Sequence, residues 1–173
     1  MKKPIETERL ILRELKLSDA EGMFELDSNP NVHLFLGNRP VKHIDESIEY
    51  IKFVHKQYKD LGTGRWAVVL KETNEFIGWS GIKFITNEIN NHKNFYEIGY
   101  RLKEEFWGKG YAYEAALKIK SVGMNDFGLT KLSAITTKDN TSSQKLIEKL
   151  GLKFQRFVKI PNDPEELMYY ETE

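Results

Sequence analysis

Trp107-Gly108-Lys109-Gly110-Tyr111-Ala112 stands between an apolar run at 95–102 and a long helical face carried by Ala112, Ala115, Ala116, Ile119 and Gly123. Two glycines separated by one residue let the chain curl so that successive amides point to one side. A helix directly behind them adds its unpaired first-turn amides and the positive end of its dipole. Strand, glycine turn and helix in that order predict an anion site of the kind that holds a pyrophosphate. The competing reading is a plain strand-to-helix turn. Two other phosphate loops fail on the letters: a P-loop needs Ser or Thr after Lys109, where Gly110 stands, and a dinucleotide fingerprint needs Gly or Ala five residues after Gly108, where Tyr113 stands.

Upstream, residues 9–15 read as an opening strand. Ser18-Asp19-Ala20-Glu21 follows as a capping-box pattern, and the helix it opens stops at Asn29-Pro30, because the residue before proline is driven out of the α region. Residues 31–43 read as a loop. A second helix spans about 45–61, with Ile48, Ile51, Val54, Tyr58 and Leu61 at spacings of three and four and Gly62 as its stop. Residues 66–70 and 76–85 flank Thr73-Asn74 as a hairpin. The asparagine-rich stretch 86–94 is a loop. Gly99 inside the run 95–102 predicts a bulge or a close backbone approach.

Downstream, residues 131–137 form a short strand, and Thr141-Ser142-Ser143-Gln144 is a second capping-box match opening a helix that ends at Gly151. Residues 152–160 and 166–172 close the chain as two strands around Pro161-Asn162-Asp163-Pro164. The order β-α-α-β-β-β-α-β-α-β-β predicts an α/β fold: a mixed, mostly antiparallel sheet of about seven strands flanked by about four helices.

Composition bounds the function. The 173 residues suit one domain, 1–173, and the charge is balanced at 26 basic against 26 acidic residues. No basic excess marks a nucleic-acid binder. No apolar run reaches the ~20 residues that cross a bilayer, and the start lacks the apolar core of a signal peptide, so a cytoplasmic protein is expected. Cysteine is absent, which removes disulfides, thiolate metal sites and a cysteine nucleophile together. His33, His43, His55 and His92 show no metal-ligand spacing, so no metal is expected.

Glu97-Ile98-Gly99-Tyr100-Arg101-Leu102, four further residues, then Trp107 to Ala115 resembles the GNAT N-acetyltransferase superfamily. Thr7-Glu8-Arg9-Leu10-Ile11-Leu12-Arg13 and the stretch from Asp139-Asn140-Thr141 to Leu150-Gly151-Leu152 resemble its branch of ribosomal-protein N-terminal (alanine and serine) acetyltransferases. The likeness covers nearly the whole chain in the right element order. It implies that the strand 95–102 splays from its parallel neighbour at 131–137, with Gly99 as the place for a bulge. It implies acetyl-CoA as donor: the backbone of Tyr100 and Leu102 along the pantetheine, the loop Trp107, Gly108, Lys109, Gly110, Tyr111 and Ala112 around the pyrophosphate, and Asn140 on the pantetheine. Many members carry arginine or glutamine where Trp107 stands, but tryptophan is common in this branch.

Acyl transfer to an amine needs a neutral amine, a polarised thioester carbonyl and a stabilised thiolate. The resemblance implies Glu97 as the base, against the alternative of an ordinary strand-end salt bridge. The tyrosine acid that the family often uses falls at Ile147, which cannot donate. Ser143 matches a serine placed near the CoA sulfur, against the alternative of a helix-start serine bonded to backbone amides. Tyr100 could offer a hydroxyl, although a tyrosine in a strand is usually core.

The expected partners are acetyl-CoA and an amine acceptor, with no nucleic acid or membrane, in a monomer or homodimer. The acceptor is the N-terminal amine of a ribosomal protein or a small amine such as a polyamine, aminoglycoside or amino-acid-like molecule. A non-catalytic CoA-binding sensor is the other class. Without cysteine, direct attack in a ternary complex is favoured over a covalent carrier. The acceptor surface is expected from residues 31–43, the second helix and the turn 161–164.

Overall fold

The computed structural model describes residues 3–86, 89, 93–160 and 166–173. Eight strands form one sheet: β1 Ile5–Glu6, β2 Leu10–Glu14, β3 Arg65–Leu70, β4 Glu75–Ile85, β5 Phe95–Leu102, β6 Ser133–Thr137, β7 Lys153–Lys159 and β8 Glu166–Glu171. Their order is β1-β2-β3-β4-β5-β6-β8-β7, and every pair is antiparallel except β5 with β6. The helices are α1 Ala20–Ser28, α2 Pro30–His33, α3 Ile44–Leu61, α4 Tyr111–Asn125 and α5 Thr141–Lys149. Among the described residues, no helix is long and apolar enough to cross a membrane.

The two elements beyond expectation are short ones. Strand β1 has two residues and pairs Ile5 with Leu12, too brief for any alternation to show. Helix α2 is one turn inside the expected loop 31–43, with Pro30 at its start and Asn29 Oδ1 accepting from the Asn31 amide at 2.9 Å. The expected turn at 161–164, most of the asparagine-rich loop and His92 lie outside the described residues.

Alternation along the strands sorts side chains onto two faces. On one, Leu10, Leu12, Val68, Ile82, Ile98 and Leu102 pack with Ala115, Ala116 and Ile119 of α4 and Ile147 of α5. Gly123 lets α4 lie close: a Cβ there would sit 2.4 Å from Ile82 Cδ1. On the other face, Ala67, Val69 and Trp79 pack with Met23 and Leu26 of α1 and Ile51 and Val54 of α3. Burying aliphatic side chains of this size contributes about 1.5–3 kcal/mol each before chain entropy is counted.

Both expected capping boxes are corrected. Before α1, Asp19 rather than Ser18 supplies the carboxylate: it accepts from the Lys16 amide at 2.7 Å and from both terminal nitrogens of Arg13 at 2.7 Å. At α5 the cap is Asn140, whose Oδ1 accepts from the Ser143 amide at 3.0 Å, while Gln144 reaches the Thr137 and Lys138 carbonyls. The Asp19 carboxylate bonds back to the Lys16 amide and makes no cap bond to α1 itself, whereas Asn140 is a preferred cap residue in its own right.

The bulge expected at Gly99 is also corrected. Strand β5 pairs with β4 without interruption from Gly78↔Leu102 to Ile85↔Phe95. The irregularity falls between β3 and β4, where the register shifts at Val68/Val69 opposite Gly78. Gly78 has φ +147°, and a Cβ there would come within 2.2 Å of the Arg101 carbonyl, so only glycine fits.

Candidate functional site

Strands β5 and β6 meet at a single residue pair, Glu97↔Ser133. Beyond it each follows its antiparallel partner, β5 along β4 as far as Leu102 and β6 along β8 as far as Thr137↔Leu167. The parallel pair therefore parts without any bulge in β5, and a V opens with Glu97 at its vertex. The Lys103 amide donates to the Ile77 carbonyl at 2.9 Å, so the odd-numbered peptides of β5 face β4. Those of Tyr100 and Leu102 turn the other way, into the V. The Leu102 carbonyl accepts from Trp107 Nε1 at 2.7 Å, which ties the loop after β5 to the mouth of the V.

That loop places Gly108 at φ +71° and Gly110 at φ +82°, a region L side chains rarely enter. The first helical bond of α4 runs from the Glu114 amide to the Gly110 carbonyl. Among the described residues, no backbone amide from Gly108 to Tyr113 has a protein acceptor. A row of free amides at the start of a 15-residue helix is an anion cradle.

A brace that the sequence did not reveal holds this cradle. Glu114 Oε1 accepts from Thr7 Oγ1 at 2.6 Å and from the Arg9 amide at 2.8 Å, and its Oε2 accepts from Arg9 Nε at 2.7 Å. Arg9 Nη1 donates to the Lys109 carbonyl at 3.0 Å, and its guanidinium lies 4.4 Å over the Tyr111 ring. Burial alone would raise the Glu114 carboxyl, but the bonds from Thr7 and Arg9 hold it below the usual range. Drawing the Lys109 carbonyl toward Arg9 leaves the neighbouring amides free.

The far arm of the V ends at α5. The Asn140 carboxamide oxygen is committed to the Ser143 amide, and its nitrogen has no partner among the described residues. Thr137 Oγ1, at the end of β6, is buried without a partner, a further polar atom no motif pointed to. Ser143 Oγ and the Tyr100 hydroxyl lie 3.0 Å apart across the V. Burial pushes the Tyr100 phenol up to about 12, so it stays protonated at neutral pH. Ile147 is buried in the core.

Glu97 faces the opposite side of the sheet, the α1/α3 side, opposite Lys83 in the ladder. Its surface is partly open, yet burial raises its carboxyl above the usual range, with Arg65 and Lys83 pulling the other way. Burial lowers the Lys83 ammonium. Arg65 and Arg101 lie 4.6 and 5.3 Å over the ring of Trp79, and Arg101 Nη1 donates to Asp27 Oδ1 at 2.5 Å. The Tyr50 phenol, raised mainly by burial, feels Arg65, Arg101, Asp27 and Glu97. His33, 3.8 Å from Asp27, is pushed down by burial and by Arg101, so it is neutral at pH 7.

The structure thus brings Glu97, Tyr100, Leu102, Asn140 and Ser143 around one opening, with the loop from Trp107 to Ala112 at its mouth. The side-chain signal for the charged face was parity: Arg65, Lys83, Glu97 and Arg101 share a face, but only the register across three strands reveals it. Among the described residues no three His, Cys, Asp or Glu side chains gather as metal ligands.

Residues 9–153 match the Acetyltransferase (GNAT) domain family. The chain is 33% identical over 147 residues to the uncharacterized N-acetyltransferase YoaA of Bacillus subtilis (strain 168), covering 85% of this chain and 81% of that protein. A GNAT-family acetyltransferase from Bacillus anthracis superposes with a TM-score of 0.78 at 26% identity, covering 98% of this chain and 97% of the other. The ribosomal-protein-S5-alanine acetyltransferase of Vibrio fischeri does so with a TM-score of 0.78 at 20% identity, covering 99% and 96%, a likeness of fold. With its parted parallel strands and unpartnered amide loop, the chain belongs to the GNAT acetyltransferase family.

Proposed function

We propose that this acetyltransferase moves the acetyl group of acetyl-CoA to a primary amine by direct attack in a ternary complex. The observation that carries the reading is the V itself, with a carboxylate on one side of its vertex and a hydroxyl pair on the other. The free amides from Gly108 to Ala112 suit the donor's pyrophosphate. The peptides of Tyr100 and Leu102 and the free nitrogen of Asn140 suit the pantetheine.

The amine approaches from the α1/α3 side, where Glu97 takes up its proton directly or through one water. A carboxylate raised toward neutrality is a better base for this work than an ordinary one. The neutral amine attacks the thioester carbonyl, a C–N bond forms and the C–S bond breaks. Ser143, bonded to Tyr100, donates a hydrogen bond to the departing sulfur, and the proton lost from nitrogen balances the one gained by the thiol. Solved neighbours of this fold are named for a ribosomal-protein substrate and for spermidine, which supports an amine as the acceptor.

The test is thiol release from acetyl-CoA with a panel of amines, including Ala- and Ser-starting peptides. Sustained release with at least one amine, lost in Glu97→Gln while acetyl-CoA binding persists, is the expected result. Acetyl-CoA binding without release for any amine overturns the reading in favour of a sensor.

A further inference from the structure

We propose that the acceptor is a small amine carrying an anionic oxygen group, a carboxylate or phosphate, and that Arg65 receives that group. This rests on the reading of the V as an acetyl-transfer site and narrows what enters it.

Arg65 pairs with Gly81, which pairs with Gly99; one step along the same face, Lys83 pairs with Glu97. Gly81 and Gly99 carry no side chain of their own, and the Arg65 backbone and the Trp79 ring lie against them, so Arg65, Lys83 and Glu97 edge one patch of this face around Trp79. Strands ~4.8 Å apart put the Arg65 backbone roughly 10 Å from β5, within reach of a long side chain and a small molecule between them.

Charge pairing singles out one guanidinium. Two arginines lie over Trp79, and Arg101 is neutralised by Asp27. Arg65 has no carboxylate partner among the described residues, and its Nε is buried with no acceptor. A buried guanidinium N–H without an acceptor is costly, and an arginine held over an aromatic ring offers its fork to a two-oxygen anion. Lys83 likewise has no ion pair among the described residues.

The sum of charges points the same way. Facing the vertex are Arg65, Lys83 and Arg101 against Asp27 and Glu97, with Tyr50 and His33 neutral, and Glu97 is reserved for the amine proton. A polyamine would meet a surplus of cations here, and Asp27, the carboxylate beside the base, is already paired with Arg101. An amine with its own carboxylate or phosphate complements both ends: ammonium toward Glu97, anion toward Arg65.

The experiment compares matched pairs in the thiol-release assay: α-amino acids against their amides, amino-sugar phosphates against the free amino sugars, with spermidine and Ser-starting peptide amides alongside. Turnover confined to the anionic member of a pair is expected, and which pair responds separates carboxylate from phosphate. Arg65→Gln should raise KM for the preferred acceptor about tenfold to a hundredfold, the effect of losing a charged hydrogen bond, with KM for acetyl-CoA unchanged. Arg65→Lys, which keeps the charge at low risk to the fold, should recover part of that loss. Equal or better turnover of the amides, free amino sugars or spermidine by the unaltered protein overturns the inference while leaving acetyl transfer standing. An unchanged acceptor KM in folded Arg65→Gln also overturns it. Acetyl-CoA binding with no release for any member overturns acetyl transfer itself, and the acceptor inference with it.

Discussion

Two single-methyl substitutions in the glycine loop separate backbone conformation from contact. Gly108 and Gly110 both sit at positive φ, so alanine at either position carries strain of about 1–2 kcal/mol. Their surroundings differ. A Cβ on Gly108 meets nothing within 4 Å, whereas one on Gly110 comes within 3.3 Å of Arg9 Nη2. Gly108→Ala therefore pays strain alone. If the free loop relaxes out of that conformation, binding must restore it, and 1–2 kcal/mol weakens acetyl-CoA about fivefold to thirtyfold. Gly110→Ala adds a push on the guanidinium that holds the Lys109 carbonyl and Glu114. Loosening one charge-assisted bond adds about 1.5 kcal/mol or more, a further tenfold. Calorimetric titration with acetyl-CoA reads both dissociation constants, and circular dichroism checks that the fold survives. The ordering is the test: Gly110→Ala weaker than Gly108→Ala, both weaker than the parent. Unchanged affinity in both variants removes the loop from the donor site, and the reverse order refutes the role given to Arg9.

Glu97→Gln should lower kcat by ~10²–10⁴ with acetyl-CoA affinity kept, and the acid limb of the parent kcat profile should lie above the usual carboxylate range because burial raises that group. A raised native pKa gives stability that is full at low pH and is lost as pH rises through it, so the same variant should melt no lower than the parent at neutral pH, by calorimetry. Ser143→Ala should cost about tenfold to a hundredfold in kcat at saturating acetyl-CoA, and Tyr100→Phe less; a collapse in Tyr100→Phe alone makes the phenol the donor. Glu114→Gln should lose ~1.5–3 kcal/mol and several degrees of Tm as well as donor affinity, the parent's advantage being full at neutral pH and fading as pH falls through the lowered native value.

What the sequence disclosed depended on whether a residue's role is local. Gly108 and Gly110 were legible because positive φ demands particular letters at fixed offsets from a helix. Gly99 was legible as unusual but not as to why. The bulge sits at Gly78, and Gly99 leaves room instead for the Trp79 ring, whose atoms would lie 3.4 Å from a Cβ. Which neighbour crowds a glycine is a property of the adjoining strand. Caps failed for a related reason: Ser18 and Thr141 fit the letters, yet the bonds are made one residue away, by Asp19 back to the Lys16 amide and by Asn140 to the Ser143 amide. The Thr7–Arg9–Glu114 brace joins residues more than a hundred positions apart, and no spacing rule spans that distance.

The proposed base and the proposed sulfur donor sit on opposite faces of one vertex. In a strand, neighbouring side chains point to opposite faces, so base and sulfur donor cannot come from adjacent residues of β5 and still share a side. Glu97 and Tyr100 have opposite parity: the carboxylate falls on the α1/α3 face and the hydroxyl on the α4/α5 face. On the proposed mechanism, a thioester lying in the V would have the base on one side of it and the sulfur donor on the other. The acceptor would then reach the carbonyl from the α1/α3 face without passing the donor. The parting of β5 from β6 after Glu97↔Ser133 is what makes that passage available, because a ladder continued to Leu102 would fill it with its own hydrogen bonds. Specificity is left to the face that the donor does not use. On the inference drawn above, Arg65, without a carboxylate ion pair among the described residues and lying over Trp79, is the group that would choose among amines.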